Sequence, residues 1–152
     1  MQTLLNTPHE IIQQNILGAA AKAKTRILNI LVLGMMAGSF IAMGAQSSSL
    51  AVHNISNIGL ARTLAGCIFP VGLMMIVFVG GELFTGDCMM SMAWMQRKIH
   101  FADMLRTLVL VYVSNFVGAA LIAFLVAHSG QYDYSSGALG AYTIKVAYGK
   151  VH

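Results

Sequence analysis

From Leu64 to Val79 the chain carries no charged side chain. Then Gly80-Gly81-Glu82-Leu83-Phe84-Thr85-Gly86-Asp87 arrives, and apolar residues resume at Cys88-Met89-Met90. This interruption constrains the fold more than any other feature. Each glycine weakens a helix by about 1 kcal/mol relative to alanine. A carboxylate near the middle of a bilayer costs roughly 2.5–3.5 kcal/mol on insertion scales. Irregular backbone at that depth persists only where it is buried in protein or lines a wet cavity. The stretch therefore predicts a broken membrane helix, the device with which many transporters build ion sites. The competing reading is a helix that stops at Gly81 and a plain loop to the next one.

A membrane setting follows from composition. Of 152 residues, 57% are hydrophobic and 9% charged, with a mean hydropathy of +0.73. Soluble domains carry about 25% charged residues. The length allows about three spans of roughly 20 residues. The first 26 residues are polar and lack the continuous apolar core of a secretory signal. The formal charge of +4 is scattered among the spans, so no nucleic-acid partner is expected. Cys67 and Cys88 lie in apolar surroundings without metal-ligand spacing. They read as buried small hydrophobes. The eleven methionines read as packing. No cofactor or metal is expected.

Along the chain, Thr7-Pro8-His9-Glu10 opens a helix with a capping box and proline at the first helical position. Ile12, Ile16, Ala19 and Ala23 form one apolar stripe, with Gln13, Gln14 and Lys22 off it. Residues 1–26 are thus expected to hold an interfacial helix. The transmembrane unit, 27–152, is expected to have spans at about 27–45, 63–81 and 106–127. A half-helix at 87–96 follows the break, and an outer loop covers 128–152. Gly34, Gly38 and Ala42 make a small-residue packing seam in the first span. Residues 46–57 read as a polar, serine-rich loop with room for a short helix, containing a solvated His53. Pro70 kinks the second span, and Trp94 with Arg97-Lys98 marks an interface. Asn115, polar within the third span, suits either an interhelical hydrogen bond or a pore lining. Leu139 to Ala147 allows a short surface helix.

Lys22, Lys24, Arg26, Arg97, Lys98 and Arg106 fall on one side, against Arg62, Lys145 and Lys150 on the other. The positive-inside rule then puts the N-terminus in the cytoplasm of a multi-pass protein of the cytoplasmic (inner) membrane.

The break itself suggests a chemistry. A half-helix beginning near Gly86 would present N–H groups without intrahelical acceptors and the positive end of its dipole. Both favour an anion. Thr85 adds a hydroxyl, while Leu83 and Phe84 narrow a pore without adding charge. Glu82 would repel an anion, so it is expected to turn away and accept backbone N–H groups of the broken segment. Asp87 is placed to cap the half-helix.

Glu82-Leu83-Phe84-Thr85-Gly86, following an apolar helix with Phe69 and Leu73 at its middle, resembles the signature of the formate/nitrite transporter family. The resemblance runs from Pro8 to His152 and includes Lys150. It implies an all-α integral membrane protein, namely the first half of an aquaporin-like inverted-repeat fold with a broken second membrane helix. Six helices in two repeats are the family's pattern, and this chain stops at His152, where the fourth helix would begin. The second broken helix and the family's central pore histidine are thus expected to be missing.

By the resemblance, Phe69 and Phe84 match the outer constriction, and Leu73 and Leu83 match apolar constriction positions. Thr85 matches the central polar residue of the broken loop, and Lys150 the lysine of the outer vestibule. Gly80, Gly81, Glu82, Gly86 and Asp87 would shape the break. The implied function is a channel or channel-like transporter for formate, nitrite or hydrosulfide, working as a homopentamer without catalysis.

Two alternatives stay open: a membrane fragment without transport of its own, and a membrane-anchor subunit of a redox enzyme. The anchor reading calls for haem-ligating histidines within the spans. His9, His53, His100, His128 and His152 all fall at or beyond span ends. An aquaporin-like half-channel would carry Asn-Pro-Ala at the half-helix start, where this chain has Phe84-Thr85-Gly86.

Overall fold

A computed structural model describes residues 6–151, and every regular element among them is helical. The first helix, α1 (Pro8–Lys22), starts as its sequence requires. The Thr7 hydroxyl accepts the Glu10 N–H, and the Glu10 carboxylate accepts the Thr7 N–H at 2.6 Å. Three helical stretches are long and apolar enough to cross a membrane: α2 (Ile27–Val52), the pair α3 (Ile58–Ile68) and α4 (Pro70–Val79), and α7 (Phe101–His128). Most of their apolar surface faces outward, as expected of helices solvated by lipid.

α2 and α7 form the central pair. A Cβ at Gly38 would overlap the Asn115 backbone, and one at Gly118 would overlap the Met35 carbonyl. These glycines therefore set how closely the two helices approach. The Gly34/Gly38 ridge is filled from within the chain. α4 rests against the other flank of α2, where Gly44 meets the backbone of Phe69 and Gly72.

Pro70 begins α4 and divides it from α3, though Phe69 keeps helical angles (φ −54, ψ −42). α1 lies under α6 (Met90–Met95) and the start of α7. Ile16 and Ala19 of the predicted stripe pack there with Met90, Ala93 and Met104. Ile12 stays exposed.

At the opposite end, a 3-10 turn (Gln131–Asp133) leads into α8 (Ala138–Val151). Several helices run past their predicted ends. α2 continues to Val52 because its polar residues find tertiary partners. Gln46 donates to Gln131 at 2.8 Å, and Ser48 faces the Ala65 carbonyl. α3 starts at Ile58, where the Asn57 side chain accepts the Leu60 N–H at 3.1 Å. α7 begins at Phe101 and α8 extends to Val151. His53 is not merely solvated. Its Nδ1–H donates to the Leu50 carbonyl at 2.7 Å, and Nε2 accepts from the Ser135 hydroxyl at 3.0 Å. Cys67 and Cys88 are free thiols on exposed surface rather than buried.

Candidate functional site: the break between α4 and α6

α4 ends at Gly80, whose φ of 71° and ψ of 33° lie in the left-handed region. A side chain there would be strained, which is why glycine occupies the position. The Gly81 N–H reaches back to the Ile76 carbonyl at 2.9 Å and the Gly80 N–H to Val77 at 3.4 Å. This pair of bonds is a Schellman ending that satisfies the last carbonyls of α4. Gly81 is also tight, because a Cβ would meet Ile76 and Ala37 at 3.2–3.3 Å.

The backbone then runs extended through Leu83 (φ −111, ψ 129) into α5, a single turn from Phe84 to Asp87. The helical restart thus comes two residues before Gly86. Asp87 closes that turn instead of capping its N-terminus. Cys88 and Met89 separate α5 from α6.

Asn115 of α7 holds the extended strand. Its Oδ1 accepts the Phe84 N–H at 3.0 Å, and its Nδ2 donates to the carbonyls of Glu82 and Gly34, each at 2.8 Å. One amide thereby pairs two backbone groups freed by the break and ties both to α2. Of the two uses predicted for Asn115, the interhelical hydrogen bond is the one realised.

The two carboxylates are held by a residue that sequence reasoning left on the polar face of α1. Lys22 Nζ donates to Glu82 Oε2 and to Asp87 Oδ1, the latter at 2.6 Å. The Glu82 carboxylate thus accepts from an ammonium rather than from the backbone N–H groups expected for it. Asp87 is 1% exposed, and its second oxygen, Oδ2, is buried with no hydrogen-bond partner among the described residues. Burial pushes the Lys22 ammonium toward lower pKa, but the hydrogen bonds and charges of Asp87 and Glu82 outweigh it. The net effect holds Lys22 above its ordinary value.

A signal for Lys22 existed in the sequence. It stands three residues after Ala19 on the buried stripe, and the break carries two negative charges with no cation beside them.

The other predicted residues distribute unevenly. Leu83 and Phe84 are half-buried at the break, and the Phe84 ring meets Tyr112 of α7 edge-on with centroids 5.5 Å apart. Thr85 and Gly86 are exposed. The Thr85 hydroxyl has no hydrogen-bond partner among the described residues. Phe69 and Leu73 are exposed on the α3–α4 helix, one turn apart. Lys150 is away from the break, in a groove of α8 shared with Gln46, Ala119 and Tyr132.

The model of the formate/nitrite transporter family matches residues 9–152. A formate channel of Bacillus thuringiensis is 34% identical over 151 residues, covering 95% of this chain and 56% of that protein. A formate channel of Haemophilus influenzae is 30% identical over 136 residues, covering 88% and 48%. A formate-nitrite transporter of Plasmodium falciparum is 30% identical over 116 residues, covering 70% and 38%. The chain spans about half the length of the curated relatives it matches. A solved FNT family ion channel superposes with a TM-score of 0.72 at 23% identity, covering 80% of this chain and 50% of that one, so the two share a fold. This chain belongs to the formate/nitrite transporter family of membrane proteins.

Proposed function

We propose that the chain forms one wall of a path for small monovalent anions (formate, nitrite or hydrosulfide) across the cytoplasmic membrane. The observation that carries this reading is the break itself. A membrane-capable helical stretch is interrupted at Gly80–Leu83, its freed backbone groups are paired by Asn115, and its carboxylates are drawn off to Lys22. What remains on the exposed side is the Thr85 hydroxyl, flanked by apolar Leu83 and Phe84. That surface offers an anion one polar contact and no negative charge.

α5 is too short to lend a substantial dipole, so the hydroxyl carries more of the site than the sequence suggested. Phe69 and Leu73 supply apolar constriction from the helix that leads into the break, and Lys150 a positive charge at the outer end. The N-terminus lies in the cytoplasm, with α1 along the membrane surface. The protomers assemble as a homopentamer. The Gly34/Gly38 ridge, occupied by α7, leaves other helix faces for that contact.

Thr85→Val tests the reading, because it keeps shape and removes the hydroxyl. In liposomes holding the protein that carries this chain, the variant assembles normally while the rate or selectivity of formate and nitrite uptake shifts. Unaltered uptake and selectivity would remove Thr85 from the path.

A further inference from the structure

At the end of the molecule away from α1, the close of α2, the start of α3 and α8 border an open cavity of about 560 Å³. Two of the three cations on this side, Arg62 and Lys145, line it, together with His53, Ser56 and Tyr142. None of the chain's five carboxylates does. Among the described residues neither cation has an ion pair or hydrogen bond. Asp133, the acidic residue nearest in sequence to α8, sits in the 3-10 turn outside the cavity.

Two unpaired like charges facing one hollow repel each other, and a bound anion relieves that repulsion. The position also matters. Ile58, Arg62, Ala65, Phe69 and Leu73 recur at steps of three or four along α3 and α4, so they share one helix face. Arg62 stands seven residues outward of Phe69, about 10 Å along the axis. The face that carries the proposed constriction thus carries a guanidinium at its outer end. Lys150 opens instead on the α2–α7 side of α8.

We propose that Arg62 and Lys145 form an outer anion-binding site that collects a small monovalent anion and delivers it along the α3 face toward Phe69. The inference rests on the transport reading above and assigns to Arg62 and Lys145 a collecting role beyond that of Lys150. The guanidinium offers paired N–H donors matched to a carboxylate or nitrite, and the ammonium a point charge. The phenol of Tyr142 and the hydroxyl of Ser56 supply further donors at the wall.

The test is binding measured apart from conduction. Line broadening of 13C-formate is followed by NMR with the protein that carries this chain in zwitterionic nanodiscs. The proteins compared are wild type, Arg62→Gln, Lys145→Gln, the double variant, and Lys98→Gln at the other end as control. At low ionic strength the double variant binds about tenfold more weakly than wild type. Lys98→Gln matches wild type, and salt at about 0.5 M removes the difference. Equal broadening by wild type and the double variant would overturn the proposal. So would loss of formate broadening when anionic lipid is added, because the site would then belong to a lipid phosphate. Formate uptake is read in parallel. Normal uptake by a double variant at low salt sinks the collecting role and leaves the transport reading standing. Binding that depends on Arg62 and Lys145, with no uptake by any protein, keeps the site and sinks the transport reading.

Discussion

Asn115 and Lys22 between them make the break affordable in a membrane. Asn115→Leu leaves the Phe84 N–H and the Glu82 carbonyl unpaired, at about 1–3 kcal/mol for each group. The expected outcome is a large loss of thermal stability in detergent, with fast hydrogen exchange at the Phe84 amide. Asn115→Asp keeps the acceptor for Phe84 and loses both donated bonds, so exchange at Phe84 stays slower than in Asn115→Leu. Equal exchange in both variants would remove Oδ1 as the partner.

Removing one member of a buried ion pair costs about 3–5 kcal/mol. The Lys22 side chain is 40% exposed, so Lys22→Gln is expected to cost about 2 kcal/mol, read as easier proteolysis between α1 and α2. The pH dependence has a definite sign. The folded pKa of Lys22 lies above the ordinary 10.5, so its contribution is complete below that value and fades as pH rises through the folded pKa. Docking of α1 should therefore loosen in strongly alkaline solution in wild type and show no such step in Lys22→Gln.

Sequence reasoning reached Asn115 because a lone amide inside a span must find a partner. It missed Lys22 because the pairing joins residues sixty positions apart, and only the docking of α1 on α6 and α7 sets that register.

Among the elements, the broken helix was legible. Glycines, a carboxylate and a threonine cannot continue an apolar span without cost, and the structure ends α4 at Gly80. Where helix resumes was not legible, because the extended backbone at Leu83 depends on Asn115 of another helix. The run of α2 through Ser47-Ser48-Ser49 was lost for a similar reason. Serine is a weak helix former, and the bonds that offset this come from α3 and the 3-10 turn.

The α2–α7 seam yields a paired prediction. Gly38→Ala drives a methyl into the Asn115 backbone, which cannot rotate aside. It should cost about 1–3 kcal/mol. Gly66→Ala on α3 meets nothing within 4 Å and should be neutral or stabilising by up to about 1 kcal/mol. Thermal unfolding of the two proteins in one detergent checks the contrast. A Gly38→Ala protein as stable as wild type would mean that α2 and α7 are not in close backbone contact.

For the whole molecule, hydropathy and the Glu82–Gly86 motif were enough to read a helical membrane protein of this family. Which surfaces meet was not readable, because lipid-facing residues and the proposed path-facing ones are largely apolar alike in this composition. Phe69, Leu73 and Thr85 all lie exposed, the first two on one helix and the third at the break. An anion at the membrane midplane needs favourable groups on more than one side, and irregular backbone facing lipid costs several kcal/mol.

The proposed path therefore needs this surface as one wall working against a complementary wall. Formate uptake into liposomes tests that most directly. Two proteins are compared: the polypeptide of residues 1–152 alone, and the same residues replacing the matching half of the Bacillus thuringiensis formate channel. The expected result is no saturable uptake from the first, and saturable uptake from the second that shifts on Thr85→Val. Saturable uptake by residues 1–152 alone, or none by a folded and assembled chimera, would contradict it.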